Sequence, residues 1–212
     1  KSKIPLIAKT PVSILAREIL QYATTIEEAI EIAKKRKVFV SESLMIGSAI
    51  DNKAIIIEIS PNDFGVFEVE NNNQIICTNH FQSEELKSDK RNIKQIRDSH
   101  SKYRFEKMIE LLDKNPKINP VIAAEILRNT KGLNDKEIGF GNEKALNQLL
   151  AHHGIIFKPK ELLVWVSANP YQLGEFVCYD LNQIFNQLNE NKAVSSFERN
   201  DLSIAKAPFV NT

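Results

Sequence analysis

Ala54-Ile55-Ile56-Ile57-Glu58-Ile59 is the stretch on which the fold turns. Its apolar character is nearly continuous, the pattern of a strand buried on both faces. Asp51-Asn52 before it is a tight-turn signal, which joins a predicted strand at 43–50 to one at 54–60. Further strands are predicted at 66–70 and 74–79, the latter after the polar turn Asn71-Asn72-Asn73. Connections this short favour antiparallel pairing. Antiparallel strands covered on both sides imply more than two layers, with a sheet between helices and a second sheet.

Two helices precede the strands. One is predicted at 11–23, with Pro11 in its first turn and Ile14, Leu15, Ile19, Leu20 and Ala23 on one face. Thr25-Ile26-Glu27-Glu28 is a capping box that opens the other. That helix turns Ile26, Ala29, Ile30 and Ala33 inward and ends in Lys34-Lys35-Arg36-Lys37, cations suited to the negative end of its dipole.

After Phe81 the character changes. Residues 83–97 are highly charged and read as a surface loop with helical turns. A helix is predicted at 99–112, with Ser101 placed to cap it, and another opens at Asn119-Pro120. Ile138-Gly139-Phe140-Gly141 lacks the spacing of a phosphate-binding loop. Strands follow at 162–167 and 175–179, then a short helix at 181–188. Residues 1–188 read as one domain, and 189–212 as a polar tail on its surface.

The totals exclude several classes. In 212 residues, 28 Lys and Arg stand against 27 Asp and Glu, so the formal charge of +1 gives no reason to expect nucleic acid. No apolar run approaches the 18 or more residues of a membrane span. The adjacent His152 and His153 suggest a metal, but neighbouring strand residues point to opposite faces and no carboxylate or Cys lies at ligand spacing. Neither metal nor cofactor is expected. Compartment is unreadable, because Cys77 and Cys178 both sit in apolar β-rich runs where free thiols are common.

The chemistry concentrates in Gln74-Ile75-Ile76-Cys77-Thr78-Asn79-His80-Phe81. A strand here would present Thr78, Asn79 and His80 at its tip, where a rigid scaffold fixes polar groups. Asn79 offers an amide donor for a developing oxyanion, His80 can carry protons, and Cys77 is a thiol within the strand.

In combination these segments resemble the isopenicillin-N acyltransferase-like family, related to the choloylglycine hydrolases, among the N-terminal-nucleophile hydrolases. The resemblance rests on Thr25-Ile26-Glu27-Glu28-Ala29-Ile30, Ile57-Glu58-Ile59-Ser60-Pro61 and Cys77-Thr78-Asn79-His80-Phe81. Ser99, Tyr103-Arg104, His153 to Pro159, Leu163 to Ser167 and Tyr179-Asp180-Leu181 extend it over about residues 11–185. It implies an α+β fold, a four-layer αββα sandwich of stacked antiparallel sheets, of which this chain holds the later part. It also implies an N-terminal nucleophile, exposed by chain cleavage, whose own amine is the base. Lys1 is not such a residue, so the nucleophile and the first strands are expected in an upstream segment or separate chain. Asn79 becomes the oxyanion donor, His80 an orienting residue, and Thr78, Phe81 and His153 substrate-binding residues. The pocket Arg expected of the family has no clear counterpart; Arg104 and Arg128 are as well suited to structural ion pairs. The function implied is amide-bond hydrolysis or acyl transfer on a small amide or acyl substrate. A noncatalytic binding domain that keeps the fold is the alternative.

Overall fold

A computed structural model describes residues 9–69, 74–151, 153–170, 172–190, 192–195 and 197–208. The chain divides into two compact units, residues 1–102 and 103–212.

The first unit is built on β2 (Lys53–Ile59), which pairs antiparallel with β1 (Glu42–Ser48) on one side and β3 (Phe64–Phe67) on the other. Ile55, Ile57 and Ile59 share one face by strand alternation and pack with α1 (Val12–Tyr22) and α2 (Ile26–Lys34) in one core. Leu15, Ile19, Ile26, Ala29 and Ala33 supply the helical half of that core. Ile56 and Glu58 point to the other face and are also fully buried. Double burial of β2 is therefore real. Within this unit, part of the cover over the second face is the irregular segment around Gln82 and Ser83, whose amides bond to Glu58.

Several expectations need local revision. The α1 face buries only Leu15 and Ile19, while Ile14 and Leu20 are 55% and 86% exposed. At 100° per residue, neighbours on each flank of that pair fall outside a narrow stripe. The hairpin between β1 and β2 takes four residues, 49–52, with Asn52 at φ 50°, a conformation Asn tolerates. The capping box forms: Thr25 Oγ1 accepts the Glu28 amide at 3.2 Å and Glu28 Oε2 accepts the Thr25 amide at 3.3 Å. Asp51 Oδ2, from the hairpin, accepts the Ile26 amide at 2.8 Å and ties the start of α2 to the sheet.

Residues 74–78 are not a strand; they belong to neither sheet. Their β-rich composition suits an extended, half-buried segment, but a ladder also needs a partner edge. The predicted turn before them, Asn71-Asn72-Asn73, lies outside the described residues, as does Glu70 at the end of the predicted strand 66–70. The charged stretch beyond contains α3 (Lys90–Asp98), capped by Asp89, whose carboxylate accepts the amides of Arg91 and Asn92.

The chain passes from one unit to the other within α4 (Ser101–Lys114). The second unit continues with α5 (Pro120–Leu127), capped by Asn119, whose side chain accepts the Ile122 amide at 2.9 Å. Its antiparallel sheet runs β4 (Ile155–Lys158), β5 (Leu163–Ser167), β6 (Phe176–Asp180) in order. Ala124, Trp165, Phe176, Cys178 and Ile204 form its core. After α6 (Leu181–Asn189) the chain returns along β6, bridging Tyr179 to Glu198 and Phe176 to Ile204. Trp165 donates its indole N–H to Leu202 O at 2.8 Å. The polar composition of 189–212 conceals Ile204 and Ala207, two buried residues that anchor it.

A charge cluster pins the turn at Asn134 and Asp135, both at positive φ, to α4. Lys107, fully buried, and Lys114 each bond to both Glu110 and Asp135. The ammonium of Lys114 is the main influence holding both carboxyls down, each to about 2. Depressed carboxyls stabilise the fold above their unfolded values and cease to do so as pH falls through the folded ones. The stability of this unit should therefore fall between about pH 4.5 and 2. Urea midpoints measured over that range should show a shallower acid limb in Lys114→Met; parallel limbs would contradict the assignment.

Candidate functional site

The polar tip predicted from sequence lies in the first unit, on the irregular segment that crosses from residue 74 to α3. Its backbone is fixed by side chains instead of by a ladder. Asn92, on the first turn of α3 and 4% exposed, grips Phe81 from both ends: its Oδ1 accepts the Phe81 amide at 2.8 Å and its Nδ2 donates to Phe81 O at 3.0 Å. The same Nδ2 donates to Lys87 O at 3.0 Å. Gln82 Nε2 donates to Ile76 O at 2.8 Å. Glu58, near the C-terminal end of β2, accepts the Gln82 amide at 2.7 Å and the Ser83 amide at 2.9 Å.

Thr78 and His80 are joined through Ser101. The His80 Nδ1 lies 2.8 Å from Ser101 Oγ and 3.0 Å from Thr78 Oγ1, and Ser101 Oγ donates to Thr78 Oγ1 at 3.1 Å. Ser101 is thus not the cap read from sequence. Ser99 Oγ accepts the Ser101 amide at 3.2 Å, and the buried Ser101 hydroxyl serves the tip. Burial holds His80 below the ordinary imidazole value; the Glu58 carboxylate opposes this and Lys102 adds to it. The ring is accordingly mostly neutral at pH 7.

Between these half-buried neighbours, Asn79 is exposed. A side-chain amide at that point offers a donor that keeps its protonation state throughout a reaction. Cys77 offers much less. Burial pushes its thiol up to about 11, with the Ser43 side chain opposing and the carboxylates of Glu58 and Glu42 reinforcing. At neutral pH it is a protonated thiol. Iodoacetamide at pH 7.5 should label it roughly 10²-fold more slowly than a free cysteine; a rate near that of the free thiol would refute this environment.

Among the candidates, Thr78, Asn79, His80 and Phe81 thus share one fixed segment. His153 is exposed and belongs to the other unit, just before β4, and His152 lies outside the described residues. Among the described residues no three His, Cys, Asp or Glu groups converge to hold a metal, and no helix is long and apolar enough to cross a membrane. Arg128 is a structural residue: it donates to the carbonyls of Gln172, Gly174 and Ala205 and lies 5.1 Å over the Phe176 ring. Arg104 donates to Glu143 O at 2.7 Å.

Glu58 and Asn92 escaped the sequence reading as site residues. A single Glu inside an otherwise apolar strand was the visible sign of the first. Nothing marked Asn92 within its charged helix.

A fold of α+β class with a donor-bearing polar tip is compatible with an acyl-transfer protein. The profile of the family described as acyl-coenzyme A:6-aminopenicillanic acid acyl-transferase matches residues 5–170, and the chain belongs to that family. Membership suggests an acyltransferase or hydrolase type of function. No curated protein and no solved structure gives a significant match.

Proposed function

We propose that this protein cleaves an amide C–N bond through an N-terminal nucleophile, Cys, Ser or Thr, carried on sequence upstream of residue 1 and exposed by autoproteolysis. The observation that carries the reading is the family match, which runs through the Asn79 tip. The nucleophile attacks the carbonyl carbon while its own amine takes the proton. Collapse of the tetrahedral intermediate breaks the C–N bond, and the leaving amine departs with that proton. The acyl group then passes to water in hydrolysis, or to a second amine in transfer.

In this reading Asn79, exposed on the tip, donates its side-chain amide to the oxyanion. His80, tied to Ser101, orients the tip. Thr78 and Phe81 line the substrate, and His153, also within the matched residues, is a further substrate-binding candidate. The protonated state of Cys77 and the burial of Cys178 favour a nucleophile outside this segment. The four-layer αββα sandwich belongs to the same reading, supported by the full burial of Ile56 and Glu58 on the face of β2 away from the helices.

The test compares the whole protein, including its own upstream sequence, with the 212-residue chain on a panel of small amides and acyl thioesters. Turnover by the whole protein alone supports the proposal. Turnover by the 212-residue chain, surviving controls for contamination, would return attention to Cys77. Binding without turnover in the whole protein would favour a noncatalytic domain.

A further inference from the structure

Glu58 is a fully buried carboxylate next to the last residue of the central strand β2, opposite Ser43 of β1 and Gly65 of β3. Taking such a group out of water costs several kcal/mol unless it is well bonded. Its two oxygens take consecutive amides, Oε1 that of Gln82 and Oε2 that of Ser83. Charge-assisted bonds of this kind are roughly twice as strong as neutral ones. The seat is shaped for it. A Cβ on Gly65 would lie 2.2 Å from Ser83 Oγ, so only a glycine opposite Glu58 lets that segment descend onto the sheet.

The clamped amides lie three and four residues beyond Asn79. Between them and Asn79, Phe81 is gripped by Asn92, and on the near side Thr78 and His80 are held by Ser101. The Asn92 and Ser101 holds come from α3 and the start of α4. Glu58 alone among these side chains belongs to the sheet.

We propose that Glu58 is a positioning residue for the Asn79 donor, its carboxylate tying the backbone of the polar tip to the central strand through Gln82 and Ser83. The proposal rests on the reading of Asn79 as the oxyanion donor. Glu58→Gln keeps the shape but turns an NH2 group toward one of the two amides, leaving that amide without its acceptor. A donor displaced by about 1 Å can cost up to about 10²-fold in rate. The loss should fall on kcat, with KM little changed, because the bond to the oxyanion exists only in the transition state.

Two readouts on the whole protein test this: hydrogen exchange of the Gln82 and Ser83 amides, and kcat and KM on a turned-over amide. The expected result for Glu58→Gln is faster exchange at both amides, unchanged exchange in β1, and a kcat loss between about 10-fold and 10²-fold at constant KM. Gly65→Ala, which pushes Ser83 off its seat while keeping the Glu58 charge, should reproduce the same pattern if Glu58→Gln folds poorly. Unchanged exchange at Gln82 and Ser83 in both variants would overturn the clamp. Faster exchange with normal kcat, while Asn79→Ala is impaired, would overturn the positioning role. Normal kcat in Asn79→Ala as well would instead overturn the donor reading on which the proposal stands.

Discussion

Asn79→Ala in the whole protein should lower kcat by about 10²–10³, or roughly 2.7–4 kcal/mol, the usual cost of removing one oxyanion donor. The expectation has two sources. The tip that bears Asn79 is held at Phe81 by Asn92, at Thr78 and His80 by Ser101, and at Gln82 and Ser83 by Glu58. A donor so mounted needs no reorganisation as charge develops. Its amide is also neutral, so the effect should not titrate between pH 5 and 9. Asn79→Asp should be equally poor, because a carboxylate repels an oxyanion. A kcat within threefold of the parent would remove Asn79 from the mechanism.

Ile57→Ala should destabilise the first unit by about 2–5 kcal/mol. Ile57 is fully buried at the centre of β2, between Leu44 and Val66 in register, and packs in the core shared with α1 and α2. The cost combines lost apolar transfer and the cavity left under two helices, of which α2 is pinned through its capping box and Asp51. Ile14→Ala, on the exposed side of α1, should cost under about 0.5 kcal/mol. Chemical denaturation of the pair measures the contrast; similar losses would mean that the helices do not close on this face of the sheet.

What was legible in the sequence was local and periodic. The Thr25 capping box, the Asn119-Pro120 helix start and the apolar runs of β2 and β5 each depend on residues close along the chain, so spacing alone reveals them. The polar tip was legible because Thr78, Asn79, His80 and Phe81 are contiguous. What holds the tip was not, because Glu58, Asn92 and Ser101 reach it over separations of 11 to 25 residues. The false strand at 74–78 has the same origin: composition reports that side chains suit an extended half-buried path, while a ladder depends on a distant edge. Ile204 and Ala207 were hidden in the same way, since two anchors suffice to seat a polar segment beside β6.

The central claim, covalent acyl transfer through an N-terminal nucleophile aided by the Asn79 tip, is tested most directly by intact and peptide mass analysis. The whole protein is incubated with an activated acyl ester and quenched in acid. The expected result is one acyl group on the side-chain sulfur or oxygen of a processed N-terminal Cys, Ser or Thr upstream of the 212 residues, accumulating more slowly in Asn79→Ala. Acylation of Cys77, or stoichiometric turnover with no acyl group on any N-terminal residue, would contradict it.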